Sequence, residues 1–330
     1  MVSFLKNRAY STLPVLRRVA KCCPIGVDIG DDTIKMVQLS NNNSGKDVSL
    51  IAADSKNQPE ELKTGSGNWQ RWTIEAMHQM TANGKFRGRE VIAAMPAAEV
   101  FIDHVRMRRM RDGEATEEKL QDAIFSRIKQ KLPFEPDDAM IKYIPAEDNN
   151  VVVIAAERKI IDRHLAIYEN ANLKIKSIGI WPVALVNSYT AFFARRKADI
   201  EAVVMLLEID ACHTNAVACR YRNLLFARSI PIGANQLENG EMMARLVLEL
   251  NACRRHFGSM YKNVPIERLI FLTSQSKSTN MCGTIAKQLE MPAQTGDCLA
   301  AVKVAKPDRL GVDRRDSQVN WATAFGLSLS

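Results

Sequence analysis

The chain has 330 residues, 46% of them hydrophobic and 25% charged, enough to bury a sizeable core and to divide into two or more domains. No run of 18 apolar residues exists, so the sequence offers no helix able to span a bilayer, and any work at a membrane is done beside it. The formal net charge of +8 is uneven: Lys6, Arg8, Arg17, Arg18 and Lys21 put five positive charges and no acid into the first 23 residues.

Phe4, Leu5, Leu13, Leu16 and Val19 interleave with those cations, so residues 1–23 read as a basic tail, either disordered or lying on an anionic membrane surface or a partner. Pro14 interrupts the segment, and the apolar stretch of a secretory signal is missing. Seven cysteines form no pair of CxxC motifs and are too sparse for a disulfide scaffold, which fits free thiols in a reducing cytosol. Adjacent Cys22 and Cys23 lack a second Cys or His pair to complete a metal site.

Residues 25–39 predict a hairpin: Ile25-Gly26-Val27-Asp28-Ile29 runs into the acidic turn Gly30-Asp31-Asp32-Thr33 and returns through Ile34, Val37 and Leu39. Such a turn can present backbone N–H groups to a phosphate. A second strand and turn of the same kind, residues 203–214, follows about 180 residues later, and two of them suggest two lobes closing on something between them. The polar run 41–46 reads as a turn and 48–53 as a third strand. Residues 56–68 read as an exposed loop, and 69–80 as a helix with Trp69, Trp72, Ala76, Met77 and Met80 on one stripe.

From residue 89 to 151 a compact strand and helix unit is expected, with strands at 91–94 and 100–107 and a charged helix at 114–131 carrying Leu120, Ile124 and Ile128 on one face. Pro133 and Pro136 end that helix. Residues 140–145 and 151–156 predict a strand pair, the second strand rejoining the first lobe. A helix at 158–171, a strand at 174–179 and a helix from Trp181-Pro182 to 196 complete that lobe. The second lobe opens with a three-stranded meander at 202–209, 215–219 and 224–231. A long helix at 237–256, a strand at 268–273 and helices at 281–289 and 321–327 follow, and the alternation predicts a layered α/β architecture.

Gly26-Val27-Asp28-Ile29-Gly30 followed by Lys35, Val37 and Leu39, then Ala94-Met95-Pro96 with Val100-Phe101, Lys131-Leu132-Pro133-Phe134, Ser229-Ile230-Pro231-Ile232-Gly233 and the closing segment 321–329 occur in a telling order. Together they resemble the actin-like ATPase superfamily, and within it the PilM family of pilus assembly proteins, itself similar to the cell-division protein FtsA and to the cytoplasmic part of the type II secretion protein GspL. The resemblance implies an actin-like two-lobed α/β fold with an inserted FtsA/PilM-type subdomain. Residues 24–97 and 151–197 would form the first lobe, 98–150 the insertion and 198–330 the second lobe, behind the tail 1–23.

It also implies a Mg-ATP site. Asp28 would orient waters on the metal and the backbone near Gly30 would face a phosphate, with Thr33, Lys35, Thr214, Thr273, Ser274 and Lys277 as further candidate contacts. Three loops depart from the pattern. Asp31 and Asp32 stand where related loops carry small hydroxyl residues, and carboxylates oppose a polyphosphate unless a cation neutralises them. The second loop reads Glu208-Ile209-Asp210-Ala211-Cys212-His213-Thr214 against a family pattern Asp-Ile-Gly-Ala-Ser-Ser-Thr, so Asp210 adds bulk and charge where glycine admits a phosphate. Leu272-Thr273 leads into Ser274-Gln275-Ser276-Lys277-Ser278 instead of a glycine run. ATP binding and turnover are therefore expected to be weak or absent, no cofactor is expected, and Glu208 is the one candidate for orienting a water.

A scaffold needs a partner, and the resemblance supplies the cytoplasmic tail of an inner-membrane pilus or secretion protein, PilN-like, bound in a groove of the first lobe and insertion. Met95, Val100, Phe101, Leu132 and Phe134 are its candidate apolar contacts, and Arg106, Arg108 and Arg109 its cationic rim. The location implied is cytoplasmic, peripheral at the inner membrane. Two rivals stay open: a polymerising actin-like ATPase, and a nucleic-acid binder using Arg106, Arg108, Arg109 and Arg111. Asp103, Asp112 and Glu114 break up that basic field, and no zinc-finger or aromatic RNA-binding motif accompanies it. Homo-oligomerisation is likewise open.

Overall fold

A computed structural model describes residues 21–41, 48–107, 117–273, 279–304, 312 and 319–330, so most of the basic tail and Arg108, Arg109, Arg111, Ser274 and Lys277 lie outside the described residues. The first sheet is built from β1 (Lys21–Ile29), β2 (Thr33–Asn41), β3 (Val48–Asn57) and β4 (Glu90–Ala94), joined by β8 (Lys174–Gly179) and β14 (Lys303–Val304). Its order is β14-β3-β2-β1-β4-β8, with β1, β2 and β3 antiparallel and β4 and β8 parallel to β1.

Eight of the nine residues of β2 are buried, which requires cover on both faces of the sheet. On one face α1 (Gly67–Ala82) and α3 (Arg158–Asn170) bring Trp69, Met77, Ile167 and Tyr168 onto Ile25, Val27 and Met36. Ser66 caps α1 by accepting from the Trp69 N–H at 3.2 Å. On the other face lie α4 (Trp181–Phe192) and α9 (Ala322–Ser328).

The second sheet repeats the plan. β9 (Val203–Ile209), β10 (Thr214–Arg220) and β11 (Asn223–Ile230) form an antiparallel meander, and β12 (Arg268–Leu272) and β13 (Ala293–Gly296) add in parallel beside β9. One face packs on α6 (Gly240–Met260) and α7 (Thr279–Gln288). The other meets α4, whose Trp181, Leu185, Tyr189 and Phe192 belong to one apolar cluster with residues of both sheets. A helix sandwiched in this way is apolar all round, and each of these side chains contributes about 1.5–3 kcal/mol on burial. Short helices α5 (Lys197–Glu201) and α8 (Cys298–Ala301), with β13 and β14, were not foreseen from the sequence.

Two assignments are corrected. β5 (Phe101–Arg106), α2 (Glu117–Ile128), β6 (Ala139–Pro145) and β7 (Asn150–Glu157) form the insertion, and β7 is its central strand, hydrogen-bonded to β5 on one side and β6 on the other. Residues 151–156 therefore do not rejoin the first sheet. Val151 and Val153 face α2, closing a small core with Ile124 and Ile128. At the other end, β14 pairs with β3, and α9 lies on β1 and α4, so the chain's last segment packs against the first sheet. Glycines set this close approach: a Cβ on Gly26 would stand 2.1 Å from the Ala324 carbonyl oxygen. The Ser328 hydroxyl donates to the Pro24 carbonyl at 2.8 Å and accepts from the Leu39 N–H at 3.1 Å, where the β2–β3 register slips and would leave that N–H without a strand partner.

Candidate functional site

The two hairpin turns end their strands alike. Ile29 pairs with Ile34 before the first turn and Ile209 with Thr214 before the second. Gly30 N–H donates to Thr33 O at 3.0 Å, and Asp210 N–H to His213 O at 2.9 Å. The second turn is braced from behind: Ala234 N–H reaches Asp210 O at 2.8 Å, and Thr214 Oγ1 donates to Ile232 O at 2.7 Å. Gly233 permits that brace, since a Cβ there would lie 2.4 Å from the Ala211 carbonyl oxygen.

Strand register brings the charges together. Asp28 and Lys35 are cross-strand partners, and the Lys35 ammonium sits 2.8 Å from Asp28 and 3.7 Å from Asp210 while only 3% exposed. Glu208, 1% exposed, is paired across β9–β10 with Asn215, which donates to its carboxylate at 3.1 Å. Thr323 of α9 donates to the same carboxylate at 2.9 Å and Asn320 at 3.3 Å, so the last helix and the second sheet share this group.

Burial alone would push the Lys35 ammonium down, but Asp28, Asp210 and Glu208 reverse this and hold it above the usual lysine range. Burial raises Glu208, with Asp210 adding to it, and burial raises Asp210, with Asp28, Asp31 and Asp32 adding against Lys35. The cluster is negative, with Lys35 at its centre.

Between the turns, the Asp31 carboxylate crosses from the first lobe to the second. One of its oxygens accepts from the Cys212 N–H at 3.2 Å and from His213 Nδ1 at 2.5 Å. That hydrogen bond raises His213 against the opposing effect of burial, and Asp31 and Asp210 supply the favourable charge. A histidine raised in the folded state contributes stability that is complete below its unfolded value of about 6.5 and is lost as pH rises through the folded value. The expected result is a wild-type unfolding midpoint that falls between about pH 6.5 and the His213 folded value by more than that of His213→Asn. Denaturant titrations across that range read the difference; parallel curves would show that His213 carries no charge linkage.

The cavity between the turns is small, about 20 Å³, bounded by Asp28, Gly30, Asp31, Met95, Glu208 and Asp210 among others. About 10–15 Å³ houses one water, whereas small-molecule sites commonly run to about 300 Å³ or more. Lys35 is committed to carboxylates, and the Gly30, Asp210 and Cys212 N–H groups already have acceptors. In this arrangement the residues do not fit a Mg-nucleotide. Asp28, Gly30, Lys35 and Glu208 of the sequence-predicted set converge here. Thr33 donates instead to Asp32 at 3.0 Å, Thr214 turns to Ile232, and Thr273, the residue after β12, has its N–H on Gly296 O.

The predicted peptide contacts separate. Val100 and Phe101 line a groove of about 540 Å³ between the edge strands β5 and β11, together with Ile102, His104, Phe226 and Arg228. Met95 lines the small cavity instead. Leu132 packs into the insertion core, Arg106 is exposed and its carbonyl accepts from Arg127 at 2.6 Å, and Phe134 is half-buried beyond α2. Sequence reasoning missed His104. Its ring stacks on Phe226 at 4.4 Å and its Nε2 accepts from the Ala227 N–H at 3.1 Å, joining the insertion to the second lobe. Burial, with His256 adding, lowers it to about 4, which leaves that nitrogen free to accept. A lone histidine within an ordinary strand gives no sequence signal for such a joint.

The model of the family described as type IV pilus assembly protein PilM matches residues 26–255, more than half of the chain and inclusive of both turns and the insertion. The chain belongs to the PilM family. Among solved structures, a PilM-PilN type IV pilus biogenesis complex matches with a TM-score of 0.75 at 19% identity, covering 94% of this chain and 98% of that one. The ethanolamine utilization protein EutJ from Carboxydothermus hydrogenoformans matches with a TM-score of 0.51 at 10% identity, covering 94% and 89%. These likenesses establish the actin-like fold. No curated protein matches in sequence.

Proposed function

We propose that this protein is a cytoplasmic scaffold of a type IV pilus or type II secretion-like inner-membrane assembly, peripheral to that membrane, which binds the short tail of a PilN-like membrane partner without needing nucleotide. The groove between β5 and β11 carries the reading. Val100 and Phe101 give it an apolar wall, and β11 offers a strand edge. Ala227 already turns its N–H outward to His104, so the alternation along an antiparallel strand turns the main chain of Ser229 outward too. The Ser229 hydroxyl is buried without a partner among the described residues. An extended peptide with apolar anchors, added along that edge, would satisfy both features. Family membership and the fold shared with a PilM-PilN complex support the choice of partner.

Calorimetric titration with a synthetic peptide of the PilN-like partner's cytoplasmic tail tests it. Saturable binding is expected, weakened at least about tenfold, or 1.4 kcal/mol, in Phe101→Glu and unchanged by millimolar Mg-ATP. Filaments that form only with nucleotide would favour the polymerising ATPase instead. Binding of DNA or RNA that falls steeply with salt would favour the nucleic-acid reading.

A further inference from the structure

Asp31, read from the sequence as an obstacle to phosphate, has its own place in the fold. The turn 210–213 is built like an anion seat, a strand-turn-strand closed by Asp210 N–H on His213 O, with the Cys212 N–H pointing across the cleft. Its Cys212 N–H and the His213 imidazole converge on a single oxygen of a carboxylate supplied by the opposite lobe, 181 and 182 residues away in sequence. The half-exposed turn places this acid beside Asp28, Asp32 and Asp210, a neighbourhood that raises the cost of every added negative charge, so the contact with Cys212 and His213 must compensate for it. The His213 ring also borders two spaces, the small cavity between the turns and the groove beside Val100 and Phe101.

We infer that the Asp31 carboxylate is an internal ligand of the second turn, occupying the anion seat between the lobes and, through His213, fixing one wall of the groove. The lobes are then held together by the chain itself. An incoming phosphate must displace Asp31 and face Asp28, Asp32 and Asp210, which accounts for the poor fit of a Mg-nucleotide. The consequence for the groove rests on the peptide reading above; the internal ligand does not.

Hydrogen–deuterium exchange on the full chain separates the two. In Asp31→Ala the amides of residues 210–214 are expected to exchange at least tenfold faster than in wild type while those of β12 stay protected, showing that the fold persists. Inorganic phosphate is expected to slow the amides again in Asp31→Ala and to leave wild type unaffected. His213→Ala is expected to loosen the same amides, and the double variant no more than either single one. Unchanged exchange in Asp31→Ala overturns the assignment. So does fast exchange that phosphate fails to slow, which reduces Asp31 to an ordinary acceptor, and so does protection of the wild-type turn by Mg-ATP. In the peptide arm, Asp31→Ala is expected to weaken tail binding at least threefold. If wild type binds no tail peptide, the peptide reading fails while the exchange results still decide the internal ligand.

Discussion

Replacing Lys35 with methionine is expected to cost about 3–5 kcal/mol of stability near neutral pH, the range found when one partner of a buried ion pair is removed. The side chain is 3% exposed and is the cation that Asp28 and Asp210 contact, with Glu208 close enough to feel its charge. Methionine conserves the length of the stem but leaves three carboxylates facing one another. The pH dependence follows from the raised values of Glu208 and Asp210. Carboxylates raised in the folded state bind protons more readily folded than unfolded, so stability is greatest below the unfolded value of about 4 and falls as pH rises through the folded values. Loss of Lys35 raises them further, so the deficit of the variant should shrink as the solution is acidified from about pH 7 towards pH 5. Urea unfolding of wild type and Lys35→Met at several pH values measures this. Lys159→Met is the control: Lys159 is exposed and pairs only with Glu157 among the described residues, so its removal should stay within about 0.5 kcal/mol. A deficit that does not vary with pH would place the role of Lys35 in packing and not in charge balance.

The second large effect is expected at Gly326. A Cβ there would stand 1.8 Å from the Ala184 carbonyl oxygen and 2.4 Å from its carbon, both main-chain atoms of α4 that cannot rotate away. Gly326→Ala must therefore part α9 from α4, which also withdraws Phe325 from the core and the Thr323 hydroxyl from Glu208. The expected loss is about 3 kcal/mol or more, at or above the upper end for overpacked cores. Gly258→Ala in α6 is the matched control. Nothing lies within 4 Å of a Cβ at that position, and removing backbone freedom from a helix should gain about 0.5–1 kcal/mol. Equal urea midpoints for Gly326→Ala and wild type would show that α9 does not dock through this glycine.

Elements with a strong burial period were legible in advance. The β1–β2 hairpin, the stripe of α1 and the β9–β10–β11 meander lie where alternation or three- and four-residue spacing put them. β7 was recognised as a strand paired with β6, as the structure has it, but it was expected to rejoin the first lobe and its second neighbour β5 was not foreseen. Its run of valine, isoleucine and alanine suits any doubly covered strand, and the choice of neighbour depends on β5 and α2 folding against it. The return of β14 and α9 to the first sheet was equally hidden, because a short apolar helix names no partner. In the candidate site, Asp28 and Lys35 were legible only as separate candidates for a phosphate and metal site, their pairing came from the structure, and the departures at Asp31 and Asp210 were visible as charge in the wrong place. That Asp31 meets Cys212 and His213 was not.

The sequence alone determined the longer strands and helices, though not α5, α8, β13 or β14, together with the existence of two similar acidic turns and the resemblance to the PilM family. These depend on local spacing, since burial period and turn chemistry are set within about a dozen residues. Tertiary structure decided what those turns face. The charge balance around Lys35, the Asp31 contact and the groove between β5 and β11 each join residues from both lobes or from the insertion. Their energies depend on distance and burial in space, quantities that the order of residues along a chain does not contain.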